Sequence, residues 1–379
     1  MKYIPQNMPE AGSTVVVGMS GGVDSTLTAL LLKQKGCHVI GVTMSLWDGH
    51  IKEVQAEKSS HDACYSPHEK EDIEACKKFC AEQNIEYHVI DVSERYNQEV
   101  LEYFKSEYRA GRTPNPCIRC NRFIKFGALL EGIKNISIEY DYFCTGHYAM
   151  VVRPESGIWG TDQKPYMIAG AVDTSKDQTY FLYRLPSEVL EKVRFPLASL
   201  KKTEVFELAR SFGLEAAEKE ESQDFIDSEY FDQLFSDKPS IPGDIIDTNG
   251  KVLGRHNGIE HYTIGQRKGL GVSVNYPVYV KEIDAKNNTV ILAPKDELSS
   301  TTLIAEDMVW PGNIVPDKSF TAIAKIRLRS KSASAVVEIL EGNKVKVTFD
   351  EAQNAITPGQ SLVLYKDNVI IGGGIISSL

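Results

Sequence analysis

The chain has 379 residues, of which 42% are hydrophobic and 25% charged, a composition typical of a soluble globular protein. Its formal net charge of −10 excludes indiscriminate nucleic-acid binding driven by overall positive charge, although it does not exclude a basic face. No segment approaches the roughly 18 apolar residues of a membrane-spanning helix, and no signal-peptide core precedes the first predicted strand. We therefore expect a cytoplasmic protein without a membrane partner, divided by its length into two or three domains.

The seven cysteines all lie within the first 144 residues. An odd number of cysteines is typical of a reducing compartment, where thiols serve chemistry or packing. Any thiol chemistry therefore belongs to the N-terminal part of the chain. His61, Cys64 and His68, with Cys76 and Cys80, are one candidate metal site, but their spacing is irregular, and packing on one helix face explains the last two.

Residues 15–31 predict a strand, a glycine turn and a helix in succession. Three valines form a buried strand, residues 18–22 form a turn that side chains would block, and Asp24 and Ser25 open an apolar helix. Free N–H groups and the positive dipole at such a helix N-terminus bind phosphate. The stretch matches neither the Walker loop nor the dinucleotide fingerprint. The alternative to a phosphate-binding loop is an ordinary strand–helix turn in which Ser20 or Asp24 caps the helix.

Strand and helix patterns continue to alternate through the N-terminal half, which predicts a parallel sheet with helices on both faces. The predicted strands are residues 37–44, 86–91 and 142–145, and the predicted helices are residues 69–83, 97–109 and 202–212. Met44 ends one of these strands at the carboxyl edge, where doubly wound sheets bind ligands. A core methionine is the alternative. Residues 176–182 begin with polar side chains and continue as a predicted apolar helix at the same edge.

Residues 111–126 read GRTPNPCIRCNRFIKF and combine two prolines, a Cys-x-x-Cys pair and several cations. The prolines impose an extended backbone, after which a helix begins between Cys117 and Cys120. A helix N-terminus flanked by cations stabilises thiolates, so the pattern predicts lowered thiol pKa values. Structural packing is one alternative, and an iron–sulfur site with Cys144 as third ligand is another.

From Ser222 onward the pattern changes to short strands and turns. The glycine- and cation-rich residues 261–271 suit phosphate contacts to RNA, with a solvated turn as the alternative. Beyond residue 302, period-two alternation predicts a small antiparallel barrel. Its predicted strands are residues 322–329, 334–341, 344–349 and 361–365. Four cations would share one strand face, available to RNA or to solvent: Lys325, Arg327, Arg329 and Lys331.

Seven motifs together resemble one family, the tRNA-specific 2-thiouridylases of the MnmA type, whose nucleotide domain is a PP-loop ATP pyrophosphatase. They are SGGVDS at 20–25, TPNPCxxCN with IKF at 113–126, TGHY at 145–148, KDQxYFL at 176–182, FPL at 195–197, TIGQRKGLG at 263–271 and TPGQ at 357–360. The match covers nearly the whole chain, and the combination is specific although the PP-loop alone is not. It implies an α/β fold: a Rossmann-like PP-loop domain in residues 1–215, a small, mainly β, tRNA-contacting domain in residues 222–295 and an antiparallel β-barrel in residues 300–379.

The resemblance implies a sulfurtransferase that uses ATP and Mg²⁺ to adenylate O2 of the wobble uridine in tRNAs for Lys, Glu and Gln, and then replaces that oxygen with sulfur. The implied partners are the anticodon stem-loop of tRNA and a persulfide or sulfide donor protein. Cys120 would be the nucleophile of the sulfur step, with Cys117 beside it. The implied ATP-binding residues are Gly18, Met19, Ser20, Gly21, Gly22, Val23, Asp24, Ser25, Met44 and Gly146. The implied tRNA-binding residues are Asn115, Pro116, Cys117, His147, Lys176, Asp177, Gln178, Arg327, Leu328 and Gln360.

One departure from the family concerns a second thiol. Many members carry a cysteine in a Ser-x-x-x-Cys-Phe setting that holds the incoming persulfide, whereas residues 221–227 here read ESQDFID. Either Cys117 and Cys120 form a local pair, or both join Cys144 in an iron–sulfur cluster that binds sulfide. A third alternative is a tRNA-binding paralogue with altered or lost sulfur transfer. An amidating PP-loop synthetase is also an alternative, but it gives no role to the cysteine pair.

Overall fold

The computed structural model of the protein describes residues 2–49, 63–218, 225–226 and 228–378. The described residues form a five-stranded sheet, a four-stranded sheet and a nine-stranded sheet. The predicted α/β architecture, with a parallel N-terminal sheet, a small central β domain and a C-terminal antiparallel barrel, is confirmed. Residues 221–227, where many family members carry the second cysteine, lie mostly outside the described residues, which include only Phe225 and Ile226 of this segment.

The five-stranded N-terminal sheet is parallel throughout. Its strands, in spatial order, are Glu86–Asp91, His38–Ser45, Thr14–Gly18, Tyr142–Cys144 and Val193–Arg194. The valines of the central strand are fully buried because helices cover both faces of the sheet. The α-helices of the described chain are Val23–Gln34, Glu69–Glu82, Ser93–Tyr96, Glu102–Arg109, Pro116–Arg119, Leu129–Asn135, Ser187–Leu190, Lys202–Ser211 and Ser228–Leu234.

Two π-helical segments, Asn97–Leu101 and Cys120–Ala128, lie next to the cysteine pair. Phe126, inside the second segment, has φ −106° and ψ 18° and marks a kink. A π turn holds one residue more than an α turn, so it changes which side chains share a helix face. The predicted helix at residues 97–109 is therefore a π segment followed by an α-helix, a distinction that hydrophobic periodicity does not reveal.

The central sheet has four strands in a mixed arrangement. In spatial order they are Val252–His256, Gly243–Asp247, Thr289–Ala293 and Tyr279–Asp284, and the middle pair is parallel. Asn249 and Gly250 form the turn between the first two of these strands along the chain: Gly250 has φ +81° and donates its N–H to the Asp247 carbonyl at 3.0 Å.

The C-terminal barrel closes because Val369–Ser378 pairs with both end strands of the series. Its strands run, in spatial order, Val369–Ser378, Ser299–Val309, Lys344–Asn354, Ala333–Leu340, Phe320–Lys325 and Ser361–Lys366. Three strands from the N-terminal half extend the same sheet: Tyr3–Pro5, Ala149–Pro154 and Met167–Gly170. These long-range pairings join the barrel directly to the N-terminal part of the chain.

The helix predicted at residues 176–182 is wrong, because these residues form only the 3-10 turn Thr179–Phe181. Tyr180 and Tyr183 are buried, and their hydroxyls bond to Ser361 of the barrel at 2.9 and 3.0 Å. The apolar side chains of this segment therefore pack between domains, which a continuous helix would not allow.

The strand predicted at residues 322–329 ends early, at Lys325. Arg327 and Arg329 lie in the turn that follows, so the four predicted cations do not share one strand face. The turn is held by Ser330, whose hydroxyl donates to the Arg327 carbonyl at 2.9 Å.

Candidate active site

The glycine loop, residues 18–22, joins the central strand to the helix Val23–Gln34. Gly22 is the N-cap, and within the described chain no side chain caps this helix, so the alternative of a Ser20 or Asp24 cap is not observed. The Ser25 hydroxyl instead braces the loop, accepting from the Ser20 N–H at 3.2 Å and donating to the Gly22 carbonyl at 3.1 Å. An uncapped helix N-terminus behind a braced glycine turn is an anion-binding geometry.

A cavity of about 260 Å³ lies in front of the glycine loop, at the carboxyl edge of the parallel sheet. Of the residues expected to bind ATP, those that line it are Gly18, Met19, Ser20, Asp24, Ser25, Met44 and Gly146. Gly21, Gly22 and Val23 are not among the lining residues: Gly21 has φ +76° and lies beside Asp72, and Gly22 and Val23 belong to the helix start. Lys125, His147 and Gln178 also line this cavity.

Asp24 is held by two residues that sequence analysis missed. Lys202 donates to both carboxylate oxygens at 2.8 Å, and the Tyr148 hydroxyl donates to Oδ1 at 2.9 Å. The Lys202 side chain is only 8% exposed. Lys202 is 178 residues from Asp24 along the chain, and only the packing of its helix against Val23–Gln34 brings the pair together.

The cysteine loop, residues 111–120, is anchored by its own side chains. Asn115 caps the short helix Pro116–Arg119 by accepting from the Ile118 N–H at 3.3 Å. Arg112 forms an ion pair with Glu107. Arg119 donates to the Glu99 carbonyl at 2.6 Å and to its carboxylate at 2.8 Å. These two arginines therefore neutralise carboxylates rather than thiolates.

Burial raises the pKa of Cys117 to about 12 and that of Cys120 to about 11. Lys125 lowers both pKa values, but loss of hydration outweighs its charge. The prediction of lowered thiol pKa values is therefore wrong, and both groups are protonated thiols at neutral pH. Burial and Lys125 also hold the pKa of His147 well below its usual range, so its ring is neutral.

Removing the Lys125 charge is expected to slow alkylation of Cys120 and Cys64 several-fold. Burial raises the pKa of both thiols and Lys125 lowers it in part, so Lys125→Met reduces the thiolate fraction at any pH below the pKa. Iodoacetamide labelling followed by peptide mass spectrometry, from pH 7 to 10, measures the two rates. Lys134→Met, an exposed lysine on the next helix, is the control. Equal labelling in all three proteins would contradict the electrostatic effect.

Residues of the C-terminal barrel also hold the cysteine loop in place. Gln360 donates through Nε2 to the carbonyls of Thr113 at 2.9 Å and Pro114 at 3.3 Å, and the Thr113 N–H donates to the Pro358 carbonyl at 2.9 Å. Arg327 supports the same barrel segment by donating to the Ala355 carbonyl and to Thr357 Oγ1. Gln360 and Arg327 therefore make structural contacts in the free protein.

Replacing Gln360 with glutamate is expected to lower kcat about tenfold and to destabilise the fold by about 1–2 kcal/mol, because a carboxylate cannot donate to two carbonyls. Turnover kinetics and thermal unfolding measure the two effects, with Gln360→Ala as the milder comparison. If Gln360 instead serves mainly to contact tRNA, the KM for tRNA would rise while kcat and the unfolding temperature stayed constant.

Of the other residues expected to bind tRNA, His147 and Gln178 line the cavity, and Leu328 lies in the turn that follows Phe320–Lys325. His147 bonds through Nδ1 to Thr145 Oγ1 at 2.7 Å. Gln178 accepts from the Tyr148 N–H at 2.9 Å, and Asp177 accepts from the Ala171 N–H at 3.1 Å. Lys176 is exposed, Leu328 is half-buried against the main core, and Pro116 and Cys117 are partly exposed.

Cys144 lies apart from the cysteine pair. Adjacent strand residues point to opposite faces of a sheet. The ring of Phe143 packs against that of Phe126 in the π segment Cys120–Ala128, with centroids 5.7 Å apart. Cys144 packs on the other face of the sheet with Cys76 and Cys80. The ligand set Cys117, Cys120 and Cys144 therefore does not fit an iron–sulfur cluster.

The first candidate metal site is likewise not assembled. Cys76 and Cys80 are core residues, as the packing explanation predicts, and His61 lies outside the described residues. Over the described parts of the chain, no group of three or more His, Cys, Asp or Glu residues is placed to hold a metal ion.

Family models match the chain in three consecutive blocks. A model described as "tRNA methyl transferase HUP domain" matches residues 13–227, a "tRNA methyl transferase PRC-barrel domain" matches 232–294, and an "Aminomethyltransferase beta-barrel domain" matches 300–376. A tRNA-specific 2-thiouridylase MnmA from Endomicrobium trichonymphae is 43% identical, with 97% of this chain and 99% of the relative covered. The chain belongs to the MnmA family.

Other members of the MnmA family match equally broadly. The tRNA-specific 2-thiouridylase MnmA of Acetivibrio thermocellus is 41% identical, with 96% of this chain and 98% of the relative covered. Among solved structures, a 4-thiouridine synthetase–RNA complex with bound ATP has 16% identity and a TM-score of 0.32, covering 56% of this chain and 44% of that one. None of the helices described here is both long and apolar enough to cross a membrane.

Proposed function

We propose that this protein is an ATP-dependent tRNA 2-thiouridylase of the cytoplasm. The observation that carries the proposal is the shared cavity, which is lined both by the phosphate-binding end of the helix Val23–Gln34 and by Lys125 of the π segment Cys120–Ala128. A nucleotide held by the glycine loop and a base presented at the cysteine loop would meet there. Membership of the MnmA family supports a tRNA uridine as the substrate.

The reaction needs activation before sulfur can enter. O2 of uridine is a poor leaving group, and adenylation converts it into AMP, which leaves readily. The N–H groups of the glycine loop would stabilise negative charge on the phosphates. The Asp24 carboxylate is held by Lys202 and Tyr148. Asp72, which also lines the cavity, would offer oxygen ligands of the kind that suit Mg²⁺, and Mg²⁺ would neutralise the departing pyrophosphate.

The target base is expected to leave its stack and contact Asn115, Pro116 and Cys117. We propose the wobble uridines of tRNAs for Lys, Glu and Gln as substrates and a persulfide or sulfide donor as the sulfur source. Cys120 is the proposed nucleophile. Because the raised pKa keeps Cys120 protonated in the free protein, tRNA and Lys125 together must favour its thiolate.

The test is thiolation of an unmodified tRNA transcript by anaerobically purified protein with ATP, Mg²⁺ and a persulfide donor. Nucleoside mass spectrometry is expected to show 2-thiouridine and one AMP per thiolated base, with no product when ATP is omitted. Iron and acid-labile sulfide are measured in the same sample, and activity in iron-free protein would exclude a required cluster. Tight tRNA binding without AMP release would instead support the non-catalytic paralogue.

A further inference from the structure

Cys64 is a thiol that the proposed reaction has not yet used. It is exposed, and it lines the same cavity as Ser20, Ser25 and Gly146. Cys117 and Cys120 are partly buried in the short helix and the π segment, and neither is among the residues that line this cavity. Cys64 is therefore the thiol that directly faces the space in front of the glycine loop.

The position of Cys64 is fixed by its neighbour Tyr65. The Tyr65 side chain is 1% exposed, its ring stacks on Tyr96 with centroids 5.4 Å apart, and its hydroxyl donates to Asp48 at 2.9 Å. The Tyr65 N–H donates to the Phe225 carbonyl at 3.1 Å. Phe225 belongs to the stretch in which sequence analysis finds no cysteine. Cys64 thus lies beside that stretch in space.

Cys64 interacts electrostatically with Cys117 and Cys120. A thiolate at Cys64 raises the pKa of both Cys117 and Cys120, and all three sulfurs act on the buried Tyr96 hydroxyl. Lys125 acts on all three thiols in the opposite direction. Cys64 and Lys125 line the same cavity, and Lys125 shares the π segment Cys120–Ala128 with Cys120. Lys125 therefore links the cavity thiol to the segment that carries Cys120.

We infer that Cys64 carries the persulfide sulfur and that Cys120 releases it, an inference that rests on the proposed function. A donor persulfide transfers its outer sulfur to the Cys64 thiolate and leaves as a thiol. The outer sulfur of the Cys64 persulfide then attacks C2 of the adenylated uridine. The C2–O bond breaks, AMP leaves with the oxygen, and the persulfide proton passes to solvent.

The product of that step is a disulfide between Cys64 and the 2-thio position of the base. The Cys120 thiolate attacks the Cys64 sulfur, the sulfur–sulfur bond to the base breaks, and 2-thiouridine leaves with the electron pair. Cys64 and Cys120 are thereby oxidised to a disulfide as the transferred sulfur is reduced. A small-molecule thiol such as glutathione returns both to thiols before the next turnover.

The experiment is a single turnover without reductant, using glutathione persulfide as donor, ATP and unmodified tRNA. The Cys120→Ser variant is expected to accumulate a protein–tRNA adduct that dithiothreitol releases and that peptide mapping assigns to Cys64. Wild type and the control Cys37→Ser are expected to end with a Cys64–Cys120 disulfide. Cys64→Ser is expected to form neither species and to lose at least about a hundredfold in persulfide-driven thiolation.

An assay with sulfide as the donor distinguishes failure of the Cys64 hypothesis from failure of the proposed function, because free sulfide can attack the adenylated base without a carrier thiol. Cys64→Ser is expected to keep sulfide-driven thiolation, as is the control Cys37→Ser, whose hydroxyl can still donate to the Glu10 carbonyl. An adduct on Cys117, or undiminished persulfide-driven activity in Cys64→Ser, would overturn the role of Cys64. Wild type that forms no 2-thiouridine with either donor would overturn the proposed function itself.

Discussion

Cys120→Ser is expected to lower persulfide-driven 2-thiouridine formation by roughly a thousandfold or more, the scale of losing a covalent nucleophile. A serine hydroxyl is much less acidic than a thiol and cannot cleave a sulfur–sulfur bond. The substitution changes one atom at a partly exposed helix position, so folding and ATP binding should be preserved. Multiple-turnover assays, calorimetric ATP binding and thermal unfolding measure these three properties.

The matched control for Cys120→Ser is Cys80→Ser, which makes the same one-atom change at a fully buried cysteine of the opposite sheet face. Cys80→Ser is expected to lower the unfolding temperature because it buries a hydroxyl, while its kcat per folded molecule stays close to wild type. If Cys120→Ser thiolated tRNA at the wild-type rate with a persulfide donor, sulfur transfer could not proceed through this thiol.

Gly146→Ala is expected to destabilise the protein by about 1–3 kcal/mol and to slow ATP-dependent AMP release about a hundredfold. An added Cβ would lie 2.7 Å from Asp24 Cβ and 2.9 Å from the Ser25 nitrogen, closer than real contacts allow. The strand end and the helix N-terminus would have to separate, and the phosphate-binding N–H groups would move with the helix. Thermal unfolding and AMP release with tRNA as acceptor measure the two effects.

Gly22→Ala provides the comparison within the same loop. Its Cβ would meet only the Ser20 hydroxyl, at 3.8 Å, and its φ of −83° is accessible to alanine. Its unfolding temperature should match wild type, even if a phosphate then approaches less closely. An unchanged unfolding temperature and normal AMP release in Gly146→Ala would show that the close packing of these two segments is not required.

The glycine loop and the parallel sheet were predictable because their signals are local. Buried valines, a glycine turn and an apolar helix follow one another within 17 residues, and the observed helix Val23–Gln34 begins within one residue of the predicted start. The barrel was predictable from period-two alternation, but the strands Ala149–Pro154 and Met167–Gly170 that extend it were not. They lie within the N-terminal half of the chain, and only long-range pairing shows which sheet they join.

The electrostatics of the cysteine pair could not be predicted from composition. Arg112 and Arg119 are close to the thiols in sequence, yet Glu107 and Glu99 bind them. Counting the cations near a thiol in sequence assumes that those cations are unpaired. The thiol pKa depends instead on burial and on whether carboxylates already pair with the cations. The helix prediction for residues 176–182 was wrong for a related reason: the apolar residues of this segment are buried against the barrel and do not form one face of a helix.

The sequence by itself determined the family, the order of the domains and the phosphate-binding turn, because each is encoded in contiguous motifs whose geometry follows from neighbouring residues. Only the tertiary structure decided which side chains meet. Lys202 reaches Asp24, Gln360 holds the cysteine loop, and Cys64 lines the cavity in front of the glycine loop while Cys144 packs on the other face of the sheet. The contacts of Lys202 and Gln360 join residues more than a hundred positions apart, and all of these relations depend on strand alternation and helix packing, which leave no local pattern to detect.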